Sequence, residues 1–261
     1  AKKFLPIAKD KIKLLYYGVP AENINSDNCN KFMDESSIDN DFFKLAIFGR
    51  VEKGKGQHLV IEATKNLLSM GKKIQVCIIG HIMDEEYFKQ LENYIKDEGM
   101  QENVLYLGFY NNPTSIMPCF DAIVLASKYE TFGLVLPEAM RAGVTVIGSN
   151  CGGVPEIITH GKTGLLFESG NADDLTGQLK KIVKDKVFCE KLAIAGKKEA
   201  DDRFSEEKHF ENLENLEDLE KFKNSKPKHI AGSSLNSGGE RALTNPIISN
   251  LQFFNFHFVI I

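Results

Sequence analysis

The chain has no C-x-x-C pair, no apolar run of membrane-spanning length and no excess of basic charge. Each absence excludes a class. The five cysteines, Cys29, Cys77, Cys119, Cys151 and Cys189, are scattered and odd in number. That argues against a disulfide framework or a zinc site, and for reduced thiols in a cytosolic chain. A spanning helix needs roughly 18 or more consecutive apolar residues, and no stretch reaches that length. Lys2, Lys3 and Lys9 are not followed by a sustained apolar run, so the layout of a signal peptide is missing. A net charge of −4 over 261 residues speaks against nucleic acid as a partner, since non-specific binding rests on basic excess. The chain opens at Ala1 rather than methionine, and further residues upstream are expected.

Other motifs are weak. Asp39-Asn40-Asp41 fits the metal-binding pattern Asp-x-Asp but lies in a polar loop. His58, His81 and His160 each stand alone, so no histidine pair has metal-ligand spacing. His81 ends a predicted strand near any ligand cleft; a surface or capping role is the plainer reading.

What is present is a repeating order of short apolar runs and helical patterns. Residues 44–49, 74–80, 103–109, 121–127 and 145–150 read as strands, and 164–168 as a sixth at the edge. Most are nearly continuous apolar runs, as in strands buried on both faces. Helices are expected near 57–70, 84–98, 113–119, 134–142 and 154–159, then near 171–184, 187–200 and 205–222. Phe210, Leu213, Leu216 and Leu219 make a narrow apolar stripe on the last. The β-then-α order predicts an α/β fold with a doubly wound, Rossmann-like parallel sheet. Residues 1–43 read as a crossover strand and a loop, with 22–41 polar and loop-like. Residues 44–225 read as the sheet domain with its C-terminal helices. From Lys226 the composition turns to Ser, Gly, Asn and Pro, then becomes sharply apolar at 251–261. This tail, 226–261, is expected to be poorly ordered, with an added edge strand or a surface anchor as alternatives.

In open parallel sheets, ligands bind beyond the carboxyl ends of the strands. After the first strand of the sheet comes Gly49-Arg50, then Lys53-Gly54-Lys55-Gly56. This is neither a dinucleotide fingerprint nor a P-loop. It does place cations before a helix N-terminus, where phosphate is favoured. After the fourth strand, Thr131, Phe132 and Gly133 can offer backbone N–H groups to an anion. Glu130 sits in that loop and Glu138 just inside the next helix. Ionised carboxylates only accept hydrogen bonds, and sugar hydroxyls donate them. The pair therefore suits a ligand with two polyol rings flanking a diphosphate.

These stretches, with "SKYETFGLVLPEAMRAGVTVIGSNCGGVPEII" and "GKTGLLFE", resemble the donor half of GT-B glycosyltransferases, in particular the retaining family 4 ("glycosyl transferases group 1"). The likeness covers about residues 11–222. It implies a nucleoside-diphosphate sugar as substrate, a glycan, lipid or small-molecule acceptor, and no metal or other cofactor. It implies that Arg50 and Lys55 neutralise the diphosphate beside Gly49. Glu130 would contact the donor sugar, aided by backbone groups of Thr131, Phe132, Gly133 and Leu134. Glu138 would hold the ribose, and Phe109 and Tyr110 would lie near the base. Tyr17 stands where the family often has asparagine, so no role carries over there. The family's N-terminal acceptor domain is not visible before Ala1, which makes this chain a donor-binding half that needs a partner domain in cis or in trans. A non-catalytic donor-binding subunit and another nucleotide-sugar enzyme such as an epimerase are the alternatives. The expected location is cytoplasmic, including the cytoplasmic face of a membrane.

Overall fold

The computed structural model of the protein describes residues 12–20, 26–214 and 258–260. Six strands form one parallel sheet: β2 (Phe43–Phe48), β3 (Ile74–Ile79), β4 (Val104–Gly108), β5 (Ala122–Leu125), β6 (Thr145–Ser149) and β7 (Leu165–Phe167). Their order is β4-β3-β2-β5-β6-β7. The chain thus builds outward from β2 in one direction, returns, and builds outward from β5 in the other. This is the doubly wound, Rossmann-like α/β arrangement that the sequence predicts.

Alternation along the central strands explains the two cores. Leu45 and Ile47 of β2 point to one face, with Val76 and Ile78 of β3. Ala46 and Phe48 point to the other, with Cys77 and Ile79. The first face is covered by α2 (Gln57–Ser69), α3 (Glu85–Asp97) and α6 (Ala172–Lys184) through Leu67, Leu91 and Leu179. The second is covered by α4 (Val135–Arg141), α5 (Val154–Ile157) and the end of α7 (Lys186–Phe204) through Leu136, Ile157 and Phe204. Each fully buried large aliphatic side chain contributes on the order of 1.5–3 kcal/mol. Helix starts are fixed locally: Asp84, Asn171 and Asp185 each accept a hydrogen bond from a backbone N–H of the first turn.

Several elements differ from expectation. The polar stretch read as a loop holds a helix, α1 (Ser26–Glu35). Its Phe32 is buried against Phe120 and Tyr110, with ring centroids 5.9 and 5.7 Å apart. Tertiary burial outweighs the polar composition here. Residues 113–119 form two 3-10 turns, Pro113–Ser115 and Met117–Cys119, instead of an α-helix. Pro118 cannot donate within a helix, and its ring crowds the preceding turn. Cys29 of α1 and Cys119 are disulfide-bonded across 90 residues, with Cα atoms 5.2 Å apart. The expectation of reduced thiols fails at this pair, because the approach depends on the unforeseen helix.

The last helix in the main body, α8, is described over Glu206–Glu214. Phe210 is exposed there, while Leu216 and Leu219 lie outside the described residues. Of the expected tail only Phe258–Ile260 are described. They form β8, which pairs antiparallel with β1 (Ile12–Leu14) in a separate two-stranded sheet.

Candidate ligand site at the switch point

The strand order reverses between β2 and β5. At such a reversal the flanking connections leave in opposite directions, and open α/β sheets bind their ligands in the crevice between them. The loops after β2 and β5 meet there, and Lys128 N donates to Gly54 O at 2.9 Å. Lys55 Nζ lies 3.0 Å from Glu130 Oε2, with side-chain exposures of only 24% and 13%. Ser127 Oγ donates to the same carboxylate oxygen at 3.2 Å, and Thr131 N to Oε1 at 3.1 Å. The loop after β6 braces this group from behind. Ser149 Oγ donates to Ser127 O at 2.7 Å, and Gly153 N to Glu130 O at 3.3 Å. Gly152 has φ +53°, and a Cβ there would run into the Glu130 carbonyl oxygen. Only glycine combines that backbone with that approach.

Arg50 shares the β2 loop but is turned to Glu52, with Nη2 3.0 Å from Oε1. Its guanidinium is exposed, whereas its carbonyl is fixed by Gln57 Nε2 at 2.8 Å. Gln57 is buried, and its Oε1 has no protein partner. Gly49 is held by its N–H to Ile79 O at 2.9 Å. Glu138 occupies the first turn of α4, half-buried, and Leu134 stands exposed at the N-terminal boundary of that helix.

The structure thus brings Lys55, Glu130 and Thr131 into direct contact, with Arg50, Gly133, Leu134 and Glu138 on the connecting loops and helix start. Phe132 points away. It is buried against Tyr16 and Phe204, at ring distances of 5.9 and 5.8 Å, so only its backbone can serve a ligand. Phe109 and Tyr110 follow β4, two strands from β2, and both are exposed. Tyr17 packs 6.0 Å from the Phe132 ring.

The remaining candidates serve local structure. Asp39 Oδ1 accepts from Asp41 N at 2.8 Å within a turn. His58 Nδ1 lies 2.9 Å from Tyr87 Oη, and burial lowers the pKa of the imidazole. His160 Nδ1 accepts from Leu166 N at 2.9 Å. Among the described residues, no group of three or more His, Cys, Asp or Glu is placed to hold a metal. Sequence reasoning missed Glu52 and Gln57. Their signal was position: one follows the arginine by two residues, and the other begins the helix after the glycines.

A Rossmann-like sheet with three loops closing on a partly buried ion pair at its switch point defines an α/β domain whose candidate site lies at the carboxyl edge of the sheet. The family model described as "Glycosyl transferases group 1" matches residues 29–200, and the chain belongs to that family. It is 29% identical over 204 residues to an uncharacterised glycosyltransferase, MJ1607, of Methanocaldococcus jannaschii, covering 76% of this chain and 51% of that protein. Anabaena Alr3699/HepE in complex with UDP is similar in structure, with a TM-score of 0.74 and 25% identity over 80% of this chain and 57% of that one. The C-terminal domain of a group 1 glycosyl transferase (LpcC) from Francisella tularensis gives a TM-score of 0.63 at 28% identity, covering 74% of this chain and 97% of that one. The chain spans about half the length of the curated relatives it matches. The sheet is that of GT-B glycosyltransferases. No helix among the described residues is long and apolar enough to cross a membrane.

Proposed function

We propose that the crevice binds a nucleoside-diphosphate sugar, and that the protein transfers this sugar to an acceptor with retention at the anomeric carbon. The observation that carries the reading is the Lys55–Glu130 pair at the switch point, braced by three loops. It sets a cation and a carboxylate side by side, where a diphosphate and a sugar hydroxyl would be received together. Arg50 and Lys55 neutralise the charge that develops on the nucleoside-diphosphate leaving group. Glu130 accepts from a sugar hydroxyl, and Glu138 from the ribose. Backbone N–H groups of residues 132–134 face the phosphates from the start of α4, and Phe109 and Tyr110 border the base. No cofactor enters this scheme. The acceptor side belongs to a second domain, in the same chain or in another, and the acceptor is a glycan, a lipid or a small molecule. A lipid acceptor would place the protein peripherally at a cytoplasmic membrane face.

Calorimetry with UDP tests the scheme. Loss of a charge-assisted clamp in Arg50→Ala should weaken binding by roughly 10- to 150-fold. The variant should keep its fold, since the side chain is exposed. Unchanged affinity in a folded variant removes Arg50 from the site.

A further inference from the structure

The loop after β2 carries Arg50 and Lys55, and one side chain closes it at its base. Val51 N donates to His81 O at 2.8 Å and fixes the loop to the end of β3. Lys128 N donates to Gly54 O at 2.9 Å and fixes its tip to the loop after β5. Lys55 N donates to Glu52 O at 2.9 Å, and a 3-10 turn, Lys53–Lys55, leads into α2. Gly56, at φ +75°, caps the start of α2, and a Cβ there would meet the Ala126 carbonyl oxygen. Across the base of the loop, Gln57 Nε2 donates to Arg50 O at 2.8 Å.

Gln57 is an unusual residue for its place. It is 1% exposed, beside Leu59, Val60 and Ile61, which are buried and apolar. Its Oε1 is buried with no partner among the described residues. A buried acceptor left unpaired carries its whole desolvation cost, and a methionine or leucine of similar size would avoid that cost. Turning the amide over would not help, because Oε1 and Arg50 O are both acceptors. The side-chain amide thus makes one bond, and that bond goes to Arg50. The Arg50 side chain is itself exposed and paired with Glu52 at 3.0 Å, an arrangement that holds a long side chain weakly. The aim of the guanidinium is therefore set by the backbone that carries it, and Gln57 holds that backbone.

We propose that Gln57 is a positioning residue that acts through Arg50, holding the arginine's backbone so that its guanidinium meets the donor's diphosphate. This rests on the donor-binding reading above and adds to it a residue that touches no ligand. A backbone fixed in advance lowers the cost of ordering a rotamer-rich side chain when the ligand arrives.

The test uses the 261-residue chain, with UDP as the probe in calorimetry. Gln57→Met keeps the size of the side chain and removes the donor. It should weaken UDP by roughly 3- to 10-fold, the worth of one hydrogen bond. In an Arg50→Ala background the same substitution should change UDP affinity by less than about 2-fold, because the group it acts through is gone. Gln57→Glu supplies the rescue. Burial favours its neutral carboxyl, whose O–H can donate to Arg50 O, so at pH 5 it should bind UDP within about 2-fold of the parent while Gln57→Met does not. A loss of equal size with and without the Arg50 side chain gives Gln57 a structural role alone and overturns the proposal. So does unchanged UDP binding by Gln57→Met, or a Gln57→Glu variant that binds no better than Gln57→Met at pH 5. If Gln57→Met melts well below the parent, Gln57→Glu takes its place in the cycle, compared with the parent at pH 5 and at pH 8, and affinity should fall at pH 8 where the carboxyl ionises. Failure of the parent chain to bind UDP, or of Arg50→Ala to weaken it, defeats the donor-binding reading and the proposal with it. A response to Arg50 with none to Gln57 defeats the positioning role alone.

Discussion

Glu130 and Glu138 carry the same charge in different surroundings, and this separates their expected roles. Glu130 shares a carboxylate oxygen between Lys55 and Ser127; Glu138 stands in the first turn of α4, where the helix dipole favours a carboxylate by roughly 0.3–1 kcal/mol. Under the proposed function, removing the charge of Glu130 frees Lys55 for the diphosphate. Glu130→Gln should therefore weaken a nucleotide sugar yet leave free UDP unchanged or up to about 5-fold tighter, the scale of a partly exposed ion pair. Glu138→Gln should weaken both ligands alike, because the ribose is common to them. Paired titrations of UDP and UDP-glucose measure this. Equal losses for both ligands in both variants would mean that the two glutamates do not divide the labour.

Elements were legible in the sequence where burial was two-sided. Strands β2, β3 and β5 are apolar runs broken only by Lys44 and Gln75, because helices cover both faces of the sheet, and such runs need no tertiary information to find. The glycine loops were legible for a similar local reason. The Lys55–Glu130 contact was not, since 75 residues separate its partners; neither was the inward turn of Phe132, which depends on Tyr16 and Phe204. Helix α1 escaped because its composition is polar, and its anchors, Phe32 with Cys29 and Met33 beside it, are few. The disulfide escaped with it. That tether has a direct chemical consequence. In denaturant, the unreduced protein should show three titratable thiols and the reduced protein five, since Cys77, Cys151 and Cys189 are free. In the native state Cys151 should be alkylated first. Burial pushes the Cys77 thiol up to about 12 and raises that of Cys189, so their thiolates are scarce near neutral pH. Cys29→Ser should cost about 2–4 kcal/mol of stability. Five thiols without reduction would show that α1 is held by packing alone.

At the scale of the molecule, the proposed function takes the described residues as one wall of a reaction cleft. They form one doubly wound sheet whose ligand-side loops open outward, and the relatives matched by this chain are about twice as long as the shared region. The C-terminal domain from Francisella is covered over 97% of its length by this chain. Enzymes gain rate by orienting two reactants and excluding water between them, and a single wall does neither for an acceptor. The 261-residue polypeptide alone should therefore bind a nucleoside diphosphate or its sugar without acceptor-dependent turnover. Supplying an N-terminal GT-B domain, fused or as a second chain, should bring transfer. A radiolabelled-donor assay with and without that domain decides the matter. Donor binding with turnover only in the presence of the added domain is the expected result. Robust transfer by the 261 residues alone would show that the acceptor is positioned by this chain, and the division into two walls would be wrong.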